Sequence, residues 1–326
     1  MKKVKLSIPP ESWDLAKHAP SGKYIWGDYE FFLNQDIKEC DFWLVSGNLV
    51  YDKEKVIVSP ENVIFDTSES ADIVNYTESF LSQFYRVSSF RTDLQHPRLM
   101  KSVPIIPWFV KKNFDELSIL NKIPKTKKIS LLASDKKISI NHIRRLNFVK
   151  KVHAYFGNEI DIYGAGYTDH IYDKAPTLDP YMFSIILETI AVPEYFSEKL
   201  GDCFLCSCFP IYYGCTNLST YFNPKSFEMI DINDFDKSVK VIKSIMNSEK
   251  FYESIFEKLI EAKSKYLNNY SIFPVMAGIL NQVESLNEKK SSGKQEVQLF
   301  KYIQHDYARK IIKRVKTKAY DFFNKS

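Results

Sequence analysis

Apolar and polar positions follow two regimes along the chain. From residue 129 onward, short apolar runs alternate with longer amphipathic stretches. "ISLLAS" (Ile129–Ser134), "IDIYGAG" (Ile160–Gly166), "MFSIILE" (Met182–Glu188), "FPIYYG" (Phe209–Gly214) and "SFEMIDI" (Ser226–Ile232) read as buried strands. "INHIRRLNFVKKVHAYF" (Ile140–Phe156), Phe235–Met246 and Phe251–Leu267 carry apolar residues at helical spacing. Strands alternating with helices predict an α/β fold with a largely parallel sheet, whose ligands sit outside the carboxyl ends of the strands. The first third is less regular. "DFWLVSG" (Asp41–Gly47) and "NVIFDTS" (Asn62–Ser68) read as strands, and Asp72–Tyr85 has the spacing of a helix. "VPIIPWFV" (Val103–Val110) holds two prolines and is expected to be an extended connection. The polar, basic stretch Asn121–Lys128 is a natural boundary. The expected organisation is therefore 1–122, 123–285, and a linker and tail over 286–326.

The stretch "EYFSEKLGDCFLCSCFPIYYGCTN" (Glu194–Asn217) predicts a short helix running into a buried strand, with Glu198 and Lys199 at the helix start. Adjacent helical residues point about 100° apart, so these two are not expected to pair. Three of the five cysteines, Cys203, Cys206 and Cys208, cluster here; Cys40 and Cys215 complete the set. A structural zinc site wants four ligands at recognisable spacings, and the nearest histidine is His170. Small core packing is the expectation, with no metal site. A helix start that follows a strand also suits a phosphate group.

The same region resembles the donor-binding signature of glycosyltransferase family 10, the α-1,3/4-fucosyltransferases. Glu188, then Tyr195-Phe196-Ser197-Glu198-Lys199, Pro210-Ile211-Tyr212-Tyr213-Gly214, Asn223-Pro224-Lys225-Ser226-Phe227 and Asp234-Phe235 fall at the family's spacing. The segment departs at Thr189 and Ile190, where the family carries Asn and Ser. Upstream, "LLASDKKISINHIRRLNF" resembles the family's strand and Arg-bearing helix start, with Arg145 as the match and Arg144 as an adjacent rival. "VIFDTSES" resembles the strand that leads into an acidic loop, with Ser68 for the family's Gly and Glu69 at the acid position.

The resemblance implies a GT-B arrangement of two Rossmann-like domains facing across a cleft. It implies an inverting transfer of fucose from GDP-fucose to a glycan hydroxyl, with no obligatory cofactor. Arg145, Glu188, Thr189, Tyr195, Glu198 and Lys199 would line the donor site. Charge growing on the departing diphosphate needs preorganised cations, a role for Lys199 and Arg145; Glu198 suits ribose hydroxyls. A base on the other side of the cleft must take the acceptor proton. Glu69 is the candidate, with Asp66, Asp72 and Glu30 as rivals. The alternatives are a catalytically silent nucleotide- or glycan-binding member, or a transferase of another GDP-sugar.

Composition changes the picture little. Hydrophobic content of 44% is enough for packed cores, so disorder is not expected. A net charge of +5 suits a phosphate-bearing ligand and does not demand nucleic acid. Stacking aromatics beside lysines are not evident within the folded regions, which argues against a nucleic-acid partner. No apolar segment follows the basic N-terminus, no window reaches membrane-spanning length, and the thiols read as reduced, so a cytoplasmic location is expected. Leu299–Phe323 alternates Lys301, Arg309, Lys310, Lys313, Arg314, Lys316 and Lys318 with aromatic and aliphatic residues. It predicts a basic amphipathic helix that either docks back on the protein or meets an anionic membrane surface through 299–326. Family acceptors are often lipid-linked glycans, as in surface polysaccharide and lipopolysaccharide synthesis, which suits a peripheral enzyme.

Overall fold

A computed structural model of the chain describes residues 1–9, 14–120, 122–169, 171–248, 250–287 and 292–303. The first region contributes eight strands: β1 (Lys2–Ser7), β2 (Ile25–Trp26), β3 (Tyr29–Leu33), β4 (Phe42–Ser46), β5 (Lys53–Val58), β6 (Val63–Asp66), β7 (Arg86–Ser89) and β8 (Leu99–Lys101). Seven of them form one sheet in the order β2-β3-β1-β4-β6-β7-β8, parallel throughout except at β2. Both faces are covered, so β4 is buried at every position from Phe42 to Ser46.

The helix expected over Asp72–Tyr85 is mostly absent; only α1 (Glu78–Leu81) forms. Its apolar positions are nonetheless buried, because Tyr76, Phe80 and Phe84 surround the ring of Phe65. The Tyr76 hydroxyl donates to Gly47 O and Thr67 O, which fixes the preceding chain as a loop, and Thr77 caps α1 by accepting from Phe80 N. Val103–Val110 joins no strand and runs as an extended connection, with Val103, Ile105, Trp108 and Val110 buried. It leads into α2 (Phe114–Ile119), which Asn113 and Glu116 close in a capping box.

The second sheet holds β9 (Lys127–Ala133), β10 (Asp161–Gly164), β11 (Tyr181–Leu187), β12 (Phe209–Tyr213) and β13 (Glu228–Met229), all parallel, in the order β10-β9-β11-β12-β13. The helices α3 (Ile140–Phe156), α4 (Ala175–Leu178), α5 (Glu198–Leu205), α6 (Phe235–Met246) and α7 (Phe251–Lys265) alternate with these strands or follow them. β13 is shorter than the expected Ser226–Ile232, since Pro224 opens a tight turn capped by Asn223 that consumes its first residues. Inside the sheet, Ser130 and Ser184 hydrogen-bond at 3.0 Å and so satisfy two buried hydroxyls.

After a π-helical turn at Tyr266–Tyr270, α8 (Ile272–Asn287) returns to the first sheet. The Tyr29 hydroxyl donates to Asn281 at 2.7 Å, and Phe31 meets Phe273 edge-on at 5.3 Å. The chain then forms β14 (Gln295–Phe300), antiparallel to β5 with Val297 opposite Val56. This corrects the expected linker and the expected helix start at Leu299. Val297 and Leu299 alternate with polar residues at period two, and they pack on the same cluster as Val56 and Phe65 while closing the open edge of β5. The remainder of the expected basic helix, 304–326, lies outside the described residues.

Candidate active site

The second sheet has a switch point. Numbered from its own first strand, its order is 2-1-3-4-5, so the chain departs in opposite directions from β9 and β11. In such sheets a ligand binds outside the carboxyl ends of the strands at this point. Arg145 bridges those two ends. Serine 139 caps α3, and Arg145 lies on the buried side of that helix, 1% exposed. Its guanidinium donates to Ser134 Oγ at 2.8 Å, beyond the end of β9, and to Thr189 Oγ1 at 3.2 Å, beyond the end of β11. Its Nε, also buried, has no protein partner. Arg144 faces solvent. Thr189 therefore supplies a hydroxyl to Arg145 where the family carries Asn.

Glu188 ends β11 with no solvent exposure. Its Oε1 accepts from Ser197 N at 2.7 Å, and its Oε2 accepts from Ser197 Oγ at 2.7 Å. Gly214 makes room for it, since a Cβ there would stand 2.5 Å from Glu188 Cγ. Ser197 also caps α5, whose first turn carries Glu198 and Lys199. The Lys199 ammonium sits 3.0 Å from Ser197 Oγ, 3.5 Å from Glu188 Oε2 and 3.4 Å from Glu198 Oε1. The expectation that Glu198 and Lys199 do not pair is corrected here. The long lysine stem folds back over the helix start and bridges the angle between the two positions.

Glu198 has a stronger partner that the sequence did not reveal. Lys174 Nζ lies 3.0 Å from Glu198 Oε1 and 2.8 Å from Asp202 Oδ2, and Asp202 accepts from Phe109 N at 2.7 Å. One buried ammonium thus serves two carboxylates. Burial works against its charge, but Asp202 and Glu198 more than offset that and push its pKa up. Burial would raise Glu198 too, yet Lys174 and then Lys199 hold it well below the carboxylate range. Asp202 lacks the second cation, so burial leaves it raised despite Lys174. A usable signal existed: two acids four apart on the same face of a helix that otherwise buries apolar residues need a cation on that face.

The first sheet faces this cluster. Phe90 packs on Tyr195 at 4.8 Å, Asn141 donates to Asp72 at 2.6 Å, and Lys101 approaches Glu194 at 3.8 Å. Tyr195 is buried in this contact, and burial first, then Glu188, raises its hydroxyl pKa far above the ordinary value. Glu69 follows β6 in the loop at the carboxyl ends of the first sheet. Its side chain reaches solvent but stands within the cleft, where surrounding protein strips part of its hydration. That desolvation, then the charge of Glu198, pushes its carboxyl up, while Lys199 and Lys136 oppose. Among the rivals, Asp66 is fully buried, Asp72 is engaged by Asn141, and Glu30 lies near the start of β3, away from the carboxyl ends.

All five cysteines are free and buried, as expected of small core residues. Cys203 donates to Cys208 O at 3.2 Å, and burial raises its thiol and that of Cys206. Among the described residues, no group of three or more His, Cys, Asp or Glu could hold a metal ion.

The model of glycosyltransferase family 10 (fucosyltransferase), C-terminal region, matches residues 123–299. The chain is 26% identical over 113 residues to the alpha-(1,3)-fucosyltransferase FucT of Helicobacter pylori. That match covers 33% of this chain and only 24% of the relative, about a quarter of its length. A crystal structure of an alpha1,3-fucosyltransferase superposes with a TM-score of 0.50 at 18% identity, covering 78% of this chain and 80% of that one. An alpha-glucosyltransferase bound to UDP and DNA gives 0.50 at 9% identity, covering 87% and 99%. The shared fold is GT-B, two Rossmann-like domains facing across a cleft.

Proposed function

The chain belongs to glycosyltransferase family 10, the fucosyltransferases, and from that membership we propose that it is an inverting transferase moving fucose from GDP-fucose to a glycan hydroxyl. The observation that supports the proposal is that Glu69, in the loop after β6, feels the charges of Glu198 and Lys199 on α5, while Arg145 stands beside them, bonded to Thr189. Residues 1–122 supply the acceptor side and 123–285 hold the donor. Lys199 receives the diphosphate and the charge that grows on it as the sugar–oxygen bond breaks, and the buried Arg145 adds its positive charge from beneath. Glu198, kept ionised by two lysines, accepts from donor hydroxyls. Glu188 holds Ser197 and so fixes the turn that aims Lys199, and Tyr195 seals the nucleoside end against Phe90. Glu69 takes the acceptor proton as the hydroxyl attacks from the opposite face. No metal is required for these steps.

Thermal shift tests the donor assignment. GDP and GDP-fucose should raise the melting temperature far more than UDP; a ligand at about a hundred times its dissociation constant adds roughly 2.7 kcal/mol of stability. Lys199→Ala should abolish most of the GDP shift, because a charge-assisted contact contributes about 1.5–3 kcal/mol. Equal shifts with UDP and GDP would remove the guanine assignment.

The acceptor proposed is a lipid-linked glycan of surface polysaccharide or lipopolysaccharide synthesis, reached by a cytoplasmic enzyme lying on the inner membrane. The support is the basic, aromatic composition of the final segment. No helix among the described residues is long and apolar enough to cross a membrane. Cutting the chain after Tyr302 is expected to lose sedimentation with anionic vesicles and to retain GDP release from GDP-fucose. The cut must spare Leu299, which is buried in β14. Undiminished sedimentation would sink the membrane role.

A further inference from the structure

The loop that presents Glu69 adopts a conformation its residues do not favour. Ser68 has φ of 48°, in the left-handed region where a side chain is strained and glycine is the usual occupant. Something must hold it there. Asp66, the last residue of β6, has no solvent exposure. Its Oδ2 accepts from Ser68 N at 3.2 Å and from Ser68 Oγ at 2.8 Å. Ser68 Oγ lies 2.7 Å from Ser46 Oγ at the end of β4, so it can accept there while donating to Asp66. Ser102, just past β8, stands 3.5 Å from Asp66 Oδ1 and 2.6 Å from Ser88 of β7. Ser68 Oγ also lies 3.4 Å from Ile105 O, in the connection between the sheets. One buried carboxyl thus gathers the carboxyl ends of four strands and ties them to the residue preceding Glu69.

We propose that Asp66 is a positioning residue for the transfer: it clamps Ser68 in the left-handed conformation and so fixes the direction in which Glu69 enters the cleft. Burial excludes Asp66 from contact with an acceptor, so its part is played through Ser68. The proposal rests on Glu69 being the base. A glycine at position 68 reaches the same backbone conformation without a clamp, which supplies the test.

Asp66→Ala and Asp66→Asn are each made in the native chain and in the Ser68→Gly background, and kcat, the KM for GDP-fucose and the melting temperature are measured. In the native chain, Asp66→Ala should lower kcat by about 10²-fold, the scale of a displacement of about 1 Å in a reacting group, with the donor KM within about threefold. In the Ser68→Gly background the losses of kcat and of melting temperature should both shrink, because the two residues are coupled. Folding of Asp66→Ala only in the Ser68→Gly background would support the clamp in the same way. If neither alanine variant folds, the asparagine pair, which keeps the shape and one acceptor, is read by the same cycle. Equal losses in the two backgrounds would overturn the clamp, as would a change confined to the donor KM. Glu69→Gln, assayed alongside, separates the premise: normal transfer by that variant removes the base assignment, while the melting-temperature cycle still decides whether Asp66 holds Ser68.

Discussion

Glu69→Gln is expected to bind GDP as the native protein does and to transfer fucose about 10²–10⁴-fold more slowly, the usual loss when a positioned proton acceptor is removed. The amide keeps the shape and cannot take a proton. Glu69 stands where the carboxyl ends of the first sheet face Lys199 and Glu198 on the second, so its loss should fall on kcat and spare donor affinity. A pH profile gives an independent check. Desolvation and Glu198 raise the Glu69 pKa, and the carboxylate is the active form. Transfer should therefore rise with pH through a limb displaced upward from the ordinary glutamate value, and Glu69→Gln should lack that limb. Transfer near the native rate in Glu69→Gln would remove the base from this position and leave Asp72 as the acid nearest the cleft contact with α3.

The second sheet was legible because its central strands β9, β11 and β12 are buried apolar runs separated by helices. α3 and α6 form over the residues their apolar spacing marks, and Arg145 rather than Arg144 lies on the buried face of α3. The first sheet was less legible. Its strands β1, β3, β7 and β8 are short and are joined by loops that carry apolar residues at helix-like intervals. Tyr76, Phe80 and Phe84 follow such an interval, yet they bury against Phe65 from a chain that is mostly loop. Periodicity reports which residues are buried, and it cannot tell a helix from a loop pinned by Tyr76. β14 escaped for a different reason. Six residues of period-two pattern gain a partner only because β5, more than two hundred residues earlier, has an open edge. The site shows the same division. Glu188, Glu198 and Lys199 were marked by local spacing, whereas Lys174 reaches Glu198 and Asp202 from a separate loop, and nothing near Lys174 in the chain announces the two acids it serves.

Lys174→Met is expected to produce the largest loss of stability of any change at the site, about 3–5 kcal/mol, because it removes one partner from a buried charge cluster and leaves the other uncompensated. Methionine keeps the bulk of the stem and removes the ammonium, including its seat 5.0 Å over the Phe109 ring, so the loss reports the charge. Glu198 retains Lys199 at 3.4 Å. Asp202, 0% exposed, retains only the amide of Phe109. Asp202 is already raised in the native protein, and without Lys174 its folded pKa must rise further above the unfolded value. A carboxyl with a raised folded pKa contributes stability that is present below the unfolded pKa and is lost as pH rises through the folded one. The deficit of Lys174→Met relative to the native chain should therefore be small near pH 4, grow across the interval up to that raised pKa, and be complete above it. Lys174→Met with Asp202→Asn should recover much of the loss at neutral pH, since no unpaired buried charge remains. Because Asp202 also holds Phe109 in the connection between the two sheets, GDP affinity should fall together with stability in Lys174→Met and return in the double variant. Denaturant midpoints at several pH values, with calorimetry of GDP binding, measure both. A deficit independent of pH would mean that Lys174 acts through packing alone, and an unchanged midpoint at neutral pH would mean that the cluster is open to water.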